Sequence, residues 1–396
     1  MEKTIAPSHR RITRLSALLA NSVPAANYHV SGVRPLIGVF AGSGIGREVI
    51  TAALRVLSAV EQTTGLQFEL RHGGLIGEEA EAQFGEPLPD SAIQFCREIF
   101  DDGGAILNGP GGGRYVYDLR RQFDLFCKFV PIRPIPELSR AGKIAPQHLQ
   151  NVDMLLVRDN IGGVYQGKWN CHAGPSGKIA EHTFSYDETQ IRRLVEVAAR
   201  AAASRRGKLH VIVKDGGVPG ISALWREVGM DIGKKHGVNV ALMNIDLAAY
   251  AIIQHPAQFD VLVAPNLFGD ILADIAGVLV SSRGVTFSGN YDPQGRAVYQ
   301  TNHGCAHDLA GTDSANPAGQ MLSLAMLLRE SFGLEDAAMR IENALAKVWQ
   351  QGWRTADLEE PDCRTIGTQA MTDRVVEEIL QSTGRSSLHE TRAALG

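Results

Sequence analysis

The chain has 396 residues, 44% of them hydrophobic, enough to bury a large core and to suggest two domains rather than one. A formal net charge of −4 gives no reason to expect nucleic acid or an anionic membrane as a partner, and no apolar run approaches the ~18 residues that span a bilayer. The five cysteines are scattered and form no CxxC pairs, which argues for a reducing, cytoplasmic compartment and against a disulfide framework or zinc site.

Residues 1–32 read as an N-terminal extension. Between residues 9 and 23, Arg10, Arg11 and Arg14 are interleaved with Ile12, Leu15, Leu18 and Leu19. That pattern suits a docking helix, or an Arg- and Ser-containing transit peptide that would direct the chain to the mitochondrial matrix. Glu2 and the modest basicity favour a plain extension. Leu36–Phe40 reads as a strand, and Gly42-Ser43-Gly44-Ile45-Gly46 turns from it into a helix with Ile45, Val49, Val56 and Val60 on one side. Arg47 holds the sixth position, where a dinucleotide-binding GxGxxG needs glycine, so these glycines serve a tight turn instead.

Periodicity next predicts helices over 90–100, 187–204, 222–236 and 316–332, and strands over 105–107, 154–157, 209–213, 238–243 and 261–264. Strand–helix alternation without repeats gives an α/β fold. The small, polar tail after Gln381 is expected to fray. The segment Asn266-Leu267-Phe268-Gly269-Asp270-Ile271-Leu272-Ala273-Asp274 follows the strand at 261–264 and opens a helix with apolar positions Leu267, Ile271, Ile275 and Val278. Asp270 and Asp274 are four apart and share a helical face. Carboxylates held so repel unless a cation lies between them, and oxygen-only ligands suit Mg²⁺ or Mn²⁺ better than zinc.

Two further segments bear on this one. They are Val157-Arg158-Asp159-Asn160-Ile161-Gly162-Gly163-Val164-Tyr165-Gln166-Gly167, and His303-Gly304-Cys305-Ala306-His307-Asp308-Leu309-Ala310-Gly311 with Ala315-Asn316-Pro317. In order and spacing, the three segments resemble motifs of the β-decarboxylating dehydrogenases, the family of isocitrate and 3-isopropylmalate dehydrogenases. The resemblance runs from about Leu36 to about Val376. It implies a two-domain, isopropylmalate dehydrogenase-like fold with the active site in the cleft between domains. Residues 33–125 and 281–396 would form the large, cofactor-side domain. Residues 126–280 would form the small domain, with the interface of a homodimer that shares its active sites.

The resemblance also implies oxidation of a 2-hydroxy acid at C2 followed by loss of the neighbouring carboxylate as CO₂. Asp270 and Asp274 match two metal ligands, and Asp246 matches a third that the family supplies from the other subunit. Arg120 and Arg158 match substrate-binding arginines, whose planar forks suit carboxylates. A third arginine of the family is replaced by Val130, and Arg133, three residues on, is a candidate to compensate. Tyr165 matches the tyrosine that protonates the enol carbon. His303, Gly304, Ala306 and Asn316 match the adenosine-binding loop. Asp308 stands where NAD-using members hold an acidic residue against the ribose hydroxyls, and His307 replaces a usual proline.

Two departures stand out. The family's general base is the lysine of an Asp-Lys pair, whereas this chain has Lys214-Asp215, then Gly216-Gly217. Gly217 falls where the family has a nicotinamide-contacting asparagine. Lys214 as base, Asp215 as base, and no competent base all remain open. The second departure is the segment that meets the C3 substituent, Gly111-Gly112-Gly113-Arg114-Tyr115-Val116-Tyr117. It fits neither the isopropylmalate nor the isocitrate type, and Arg114 suggests an anionic substituent. The expected activity is therefore NAD- and metal-dependent oxidative decarboxylation of a substituted malate. The alternatives are a catalytically silent or regulatory subunit and a dehydrogenase that does not decarboxylate.

Overall fold

The computed structural model describes residues 14–19 and 34–393, with side chains through residue 382. Its core is a ten-stranded sheet in the order β2-β1-β3-β12-β11-β4-β5-β10-β8-β9. The strands are β1 (Leu36–Phe40), β2 (Glu69–His72), β3 (Ala105–Asn108), β4 (Cys127–Ile132), β5 (Met154–Asp159), β8 (Lys208–Val213), β9 (Asn239–Asn244), β10 (Val261–Ala264), β11 (Phe287–Tyr291) and β12 (Ala297–Thr301). Pairing is parallel towards both edges and antiparallel at the centre, where β12, β11, β4 and β5 run in alternate directions. A separate antiparallel ribbon, β6 (Lys168–Gly174) and β7 (Gly177–Thr183), stands away from the sheet with nearly every residue exposed.

Among the described residues, eleven α-helices complete the mixed α/β fold. They are α1 (Gly46–Thr64), α2 (Gly77–Phe84), α3 (Asp90–Asp101), α4 (Tyr115–Gln122), α5 (Glu188–Ser204), α6 (Pro219–His236), α7 (Ile245–Gln254), α8 (Asn266–Gly277), α9 (Ala318–Glu330), α10 (Glu335–Gln350) and α11 (Thr368–Ala393). Local chemistry sets their ends. Asp187 caps α5 by accepting the Gln190 N–H at 2.8 Å. Pro219 opens α6 and Gly237, left-handed at φ 65°, closes it after Lys234 and Lys235, whose charges suit a helix C-terminus. The turn after β1 is tight, as its glycines suggest. Gly44 has φ 56°, and a Cβ there would lie 2.2 Å from the Cys305 carbonyl oxygen, so only glycine lets this turn meet the 303–311 loop.

The apolar positions named for α8 are not its buried face: Ile271, and Val278 just after the helix, are exposed, while Gly269, Leu272, Ala273 and Ala276 are buried. The helix is apolar on more than one side, so the stripe alone does not say which side turns inward. Past Gln381 the tail is helical, with α11 running to Ala393.

Part of the extension docks. Most of the basic stretch at 9–23 lies outside the described residues, but Leu15–Leu18 forms a 3₁₀ turn with Leu18 and the adjacent Leu19 buried. The Ser16 N–H donates to the Glu330 carboxylate at 3.1 Å, the Ser16 hydroxyl to the Glu330 carbonyl at 2.8 Å, and Arg200 to the Leu18 carbonyl at 3.0 Å. Burial pushes the Glu330 carboxyl up to about 7 from an ordinary 4.5, partly offset by the Ser16 N–H. The folded state thus holds this proton more tightly than the unfolded state. The resulting stability is fully present below pH 4.5 and is lost as pH rises through about 7. Glu330→Gln keeps an acceptor for Ser16 and removes the charge. It is expected to add on the order of 3 kcal/mol at pH 8 and almost nothing at pH 4. Melting curves at both pH values check this, and equal shifts at both would refute it.

Candidate active site

The candidate site is built where α4, β4, β5, the turn at 164–166 and α8 meet. Arg158 is the penultimate residue of β5 and is 1% exposed. Its guanidinium pairs with Asp270 and donates to the Asn266 side-chain oxygen at 2.8 and 3.2 Å. The Arg158 stem crosses α8 at Gly269, where a Cβ would come within 2.8 Å of its Cγ. This explains a glycine inside a helix, where it otherwise costs up to ~1 kcal/mol. Tyr165 donates its hydroxyl to the other Asp270 oxygen at 2.8 Å. Arg158, Asp270 and Tyr165, taken from three separated segments, therefore form one junction.

Electrostatics distinguish the two acids of α8. Burial raises the Asp270 carboxyl, but Arg158 and Lys128 outweigh it and hold it below the usual range. Asp274 is pushed up, first by burial, with Asp270 adding and Arg283, at 3.0 Å, opposing. Asp274 is thus harder to ionise chiefly because it is buried, and the neighbouring Asp270 adds to this. The donors are hard oxygens and fit Mg²⁺ or Mn²⁺. Tyr165 is pushed well above the ordinary phenol range by burial and then by its bond to Asp270, so it holds its proton firmly.

Asp246 does not join these acids within the chain. It begins α7, largely exposed, and accepts from the Lys214 ammonium at 2.7 Å. That hydrogen bond holds the Asp246 carboxyl below its usual value. Asp215 turns elsewhere: its carboxylate is taken by Arg226 at 2.5 Å, and its N–H donates to the Asn244 side chain at 3.0 Å. The structure thus pairs Lys214, rather than Asp215, with the expected third ligand.

Arg114 lies beside the junction. Its guanidinium donates to the Tyr165 carbonyl at 3.1 Å and lies over the rings of Tyr117 and Trp169, 5.1 and 4.8 Å from their centroids. Arg133 does not lie there. It follows β4 at the end opposite Lys128 and Arg158, largely exposed, and pairs with Asp153 at 3.3 Å. Five residues of strand between Lys128 and Arg133 span about 16 Å. Three positions along the sequence from Val130 therefore carries Arg133 off the site, and it cannot replace the missing arginine.

The 303–311 loop is reached through the Gly42–Gly46 turn, with the Ile45 N–H on the Cys305 carbonyl at 2.9 Å. Ala306 adopts φ 41°, and the His307 ring meets Glu78 at 2.6 Å. Gly304 is exposed, and His303 bonds through its ring to the Gly304 carbonyl at 3.0 Å. Asp308 is exposed and makes no hydrogen bond or ion pair with the described residues. Asn316 is more committed than its motif suggests. Its oxygen accepts from the Ala318 N–H and its amide donates to Asp357, both at 3.0 Å.

One residue escaped the sequence reading. Lys128 on β4 is 4% exposed, and burial followed by Arg120 and Arg158 keeps its ammonium well below the usual range. The available signal was a single lysine inside the apolar run Cys127–Ile132. Arg120 on α4 is likewise 4% exposed, and its Nε has no partner. Burial and then Arg158 bring its guanidinium down to about 9.

Residues 36–375 match the family described as isocitrate/isopropylmalate dehydrogenase. A 3-isopropylmalate dehydrogenase from Burkholderia thailandensis is 37% identical over 361 residues, covering 86% of this chain and 99% of the relative. One from Nitrosomonas europaea is 38% identical over 356 residues, covering 86% of this chain and 98% of the relative. Among solved structures, isocitrate dehydrogenase from Methylococcus capsulatus is similar with a TM-score of 0.76 at 30% identity, covering 87% of this chain and 99% of that one.

Proposed function

The chain belongs to the isocitrate/isopropylmalate dehydrogenase family, and from that membership we propose an NAD-dependent, Mg²⁺- or Mn²⁺-dependent oxidative decarboxylase of a substituted malate with an anionic C3 group. The family supports metal-dependent oxidative decarboxylation of a hydroxy acid. The observation that carries the finer reading is the junction of Arg158, Asp270 and Tyr165, flanked by buried cations that have no anionic partner. Asp270 and Asp274, with Asp246 of a second copy, would hold the divalent ion, which supplies Lewis-acid polarisation of the substrate oxygens. NAD would lie against the 303–311 loop and supplies the hydride acceptor.

This chain's own residues do the rest. Arg120 and Arg158 hold substrate carboxylates and orient C2. Lys214, in its uncharged amine form once Asp246 is engaged elsewhere, takes the proton from the C2 hydroxyl. Tyr165 keeps its phenolic proton until carbon needs it and is oriented by Asp270. Arg114, stacked on Tyr117 and Trp169, meets the C3 group. We read residues 33–125 and 281–396 as one domain and 126–280 as the other. A homodimer is supported by the exposed apolar side chains Leu247 and Tyr250 on α7, Ile271 on α8 and Val278 just after it. No described helix is long and apolar enough to cross a membrane, and a cytoplasmic setting is part of this reading. The similar enzymes of Burkholderia thailandensis and Nitrosomonas europaea are bacterial, which lends nothing to a mitochondrial transit peptide.

The test is a screen of substituted malates for NADH formation with Mn²⁺, repeated with NADP. Asp308 would place a like charge against a 2′-phosphate, so at least ~10-fold preference for NAD is expected, a difference of only ~1.4 kcal/mol. Equal efficiency with both cofactors would remove Asp308 from the cofactor site. Binding of NAD and Mn²⁺ without oxidation of any malate would favour a silent subunit.

A further inference from the structure

Lys128 lies directly opposite Arg158 in the β4–β5 ladder. Directly opposed residues in an antiparallel pair project from the same face, with Cβ atoms roughly 4.5–5.5 Å apart. Lys128 therefore emerges on the side where Arg158 reaches Asp270. Like charges placed this way destabilise a sheet, and a buried ammonium with no partner costs more. At 4% exposure the side chain is almost wholly removed from water, although its Nζ is not sealed off from the site. Lys128 and Arg120 are the only buried Arg, Lys, Asp or Glu among the described residues whose side chains enter no hydrogen bond or ion pair.

The charge count agrees. Arg120, Lys128 and Arg158 gather around Asp270 and Asp274, and Asp274 is also paired with Arg283. Positive groups outnumber carboxylates here even before a metal binds, which suits an anionic ligand. Val130, where the family arginine is missing, projects from the same face two residues deeper. It lies opposite the buried Leu156, in an apolar part of the sheet. Relative to that position, Lys128 stands one pleat nearer Arg158 and the site.

We propose that Lys128 is a substrate-binding cation of this site, holding a carboxylate together with Arg120 and Arg158 in place of the arginine absent at Val130. The proposal deepens the substrate reading above and rests on it for the identity of the anion. It also gives the buried like-charged pair a function, because a bound dicarboxylate neutralises both members at once. The ammonium is a compact point charge rather than a planar fork, so this contact attracts a carboxylate without fixing its plane.

The test uses the full chain and malonate as the probe, titrated calorimetrically without NAD, so that it does not depend on turnover. Lys128→Met is expected to weaken malonate binding ~10- to 100-fold, the scale of a lost charge-assisted hydrogen bond. The free protein should melt no lower than wild type, because an unpartnered buried charge is removed. Lys128→Arg should retain most of the affinity, and adding Val130→Arg to Lys128→Met should recover at least ~10-fold of it. Should Lys128→Met not fold, Lys128→Gln serves in its place with the same expected loss. Wild-type affinity in Lys128→Met, or no malonate binding by wild type, overturns the proposal. Intact, Lys128-dependent malonate binding in a protein that oxidises no malate would sustain this role and end the dehydrogenase reading instead.

Discussion

Asp270→Asn is expected to lower kcat/KM by on the order of 10³-fold or more, and to abolish Mn²⁺ binding by calorimetry. Asp270 occupies three roles at once. One oxygen pairs with Arg158, the other accepts from Tyr165, and the carboxylate is half of the proposed metal pair. An amide in its place keeps the shape but cannot supply a second hard anionic ligand, and Lewis-acid stabilisation of a reacting centre is worth several kcal/mol. The Asn side chain also presents an NH₂ group to one of the two donors, Arg158 or Tyr165. Arg158 retains Asn266, so the variant should fold. Mn²⁺ affinity equal to wild type in a folded Asp270→Asn would remove Asp270 from the metal site.

The second large effect is at the inverted pair. Lys214→Met is expected to slow the chemical step at least ~10²-fold, the usual scale of general-base catalysis, whereas Asp215→Asn should change it only a few-fold. The basis is direction. The Lys214 ammonium reaches Asp246, and the Asp215 carboxylate is turned to Arg226. Both Lys214 and Asp246 are exposed enough to be offered to a second copy. Single-turnover kinetics of the two variants separate the candidates, and the reverse ranking would assign the base to Asp215. Arg226→Ala provides an independent readout, since it frees Asp215 and should not rescue Lys214→Met.

The sequence conveyed six of the ten sheet strands as short apolar runs with clear turns, while β2, β4, β11, β12 and the ribbon β6–β7 were not among the expected strands. Leu36–Phe40 and Val261–Ala264 form as expected, and the other expected strands differ by a residue or two at their ends. Some features were not legible, for physical reasons. Periodicity names a stripe but not the side that is covered, and Ile271 and Val278, at and just after α8, are exposed. Position along the chain is likewise a poor guide across a sheet. Arg133 is close to Val130 in sequence yet lies beyond the far end of β4, while Lys128 becomes informative only once the register places it opposite Arg158. Asp246 and Lys214 are 32 residues apart, and their pairing belongs to the tertiary fold.

The order of strands in the sheet has a consequence for how the chain is made. β3 pairs with β12, and Ile106 is matched with Val298, a separation of 298 − 106 = 192 residues. A ribosome adding 5–20 residues per second leaves that side of β3 without its partner for roughly 10–40 s. During this time β1, β2 and β3 can assemble, since they are contiguous in the chain, but the growing sheet ends in a buried-type strand, Ala105–Asn108, with its backbone groups unmatched. A nascent chain of this topology offers a transient sticky edge to neighbouring polypeptides. Yield in the cell should therefore depend on translation speed between β3 and β12 and on chaperones that shield that edge, more than on the stability of the finished protein.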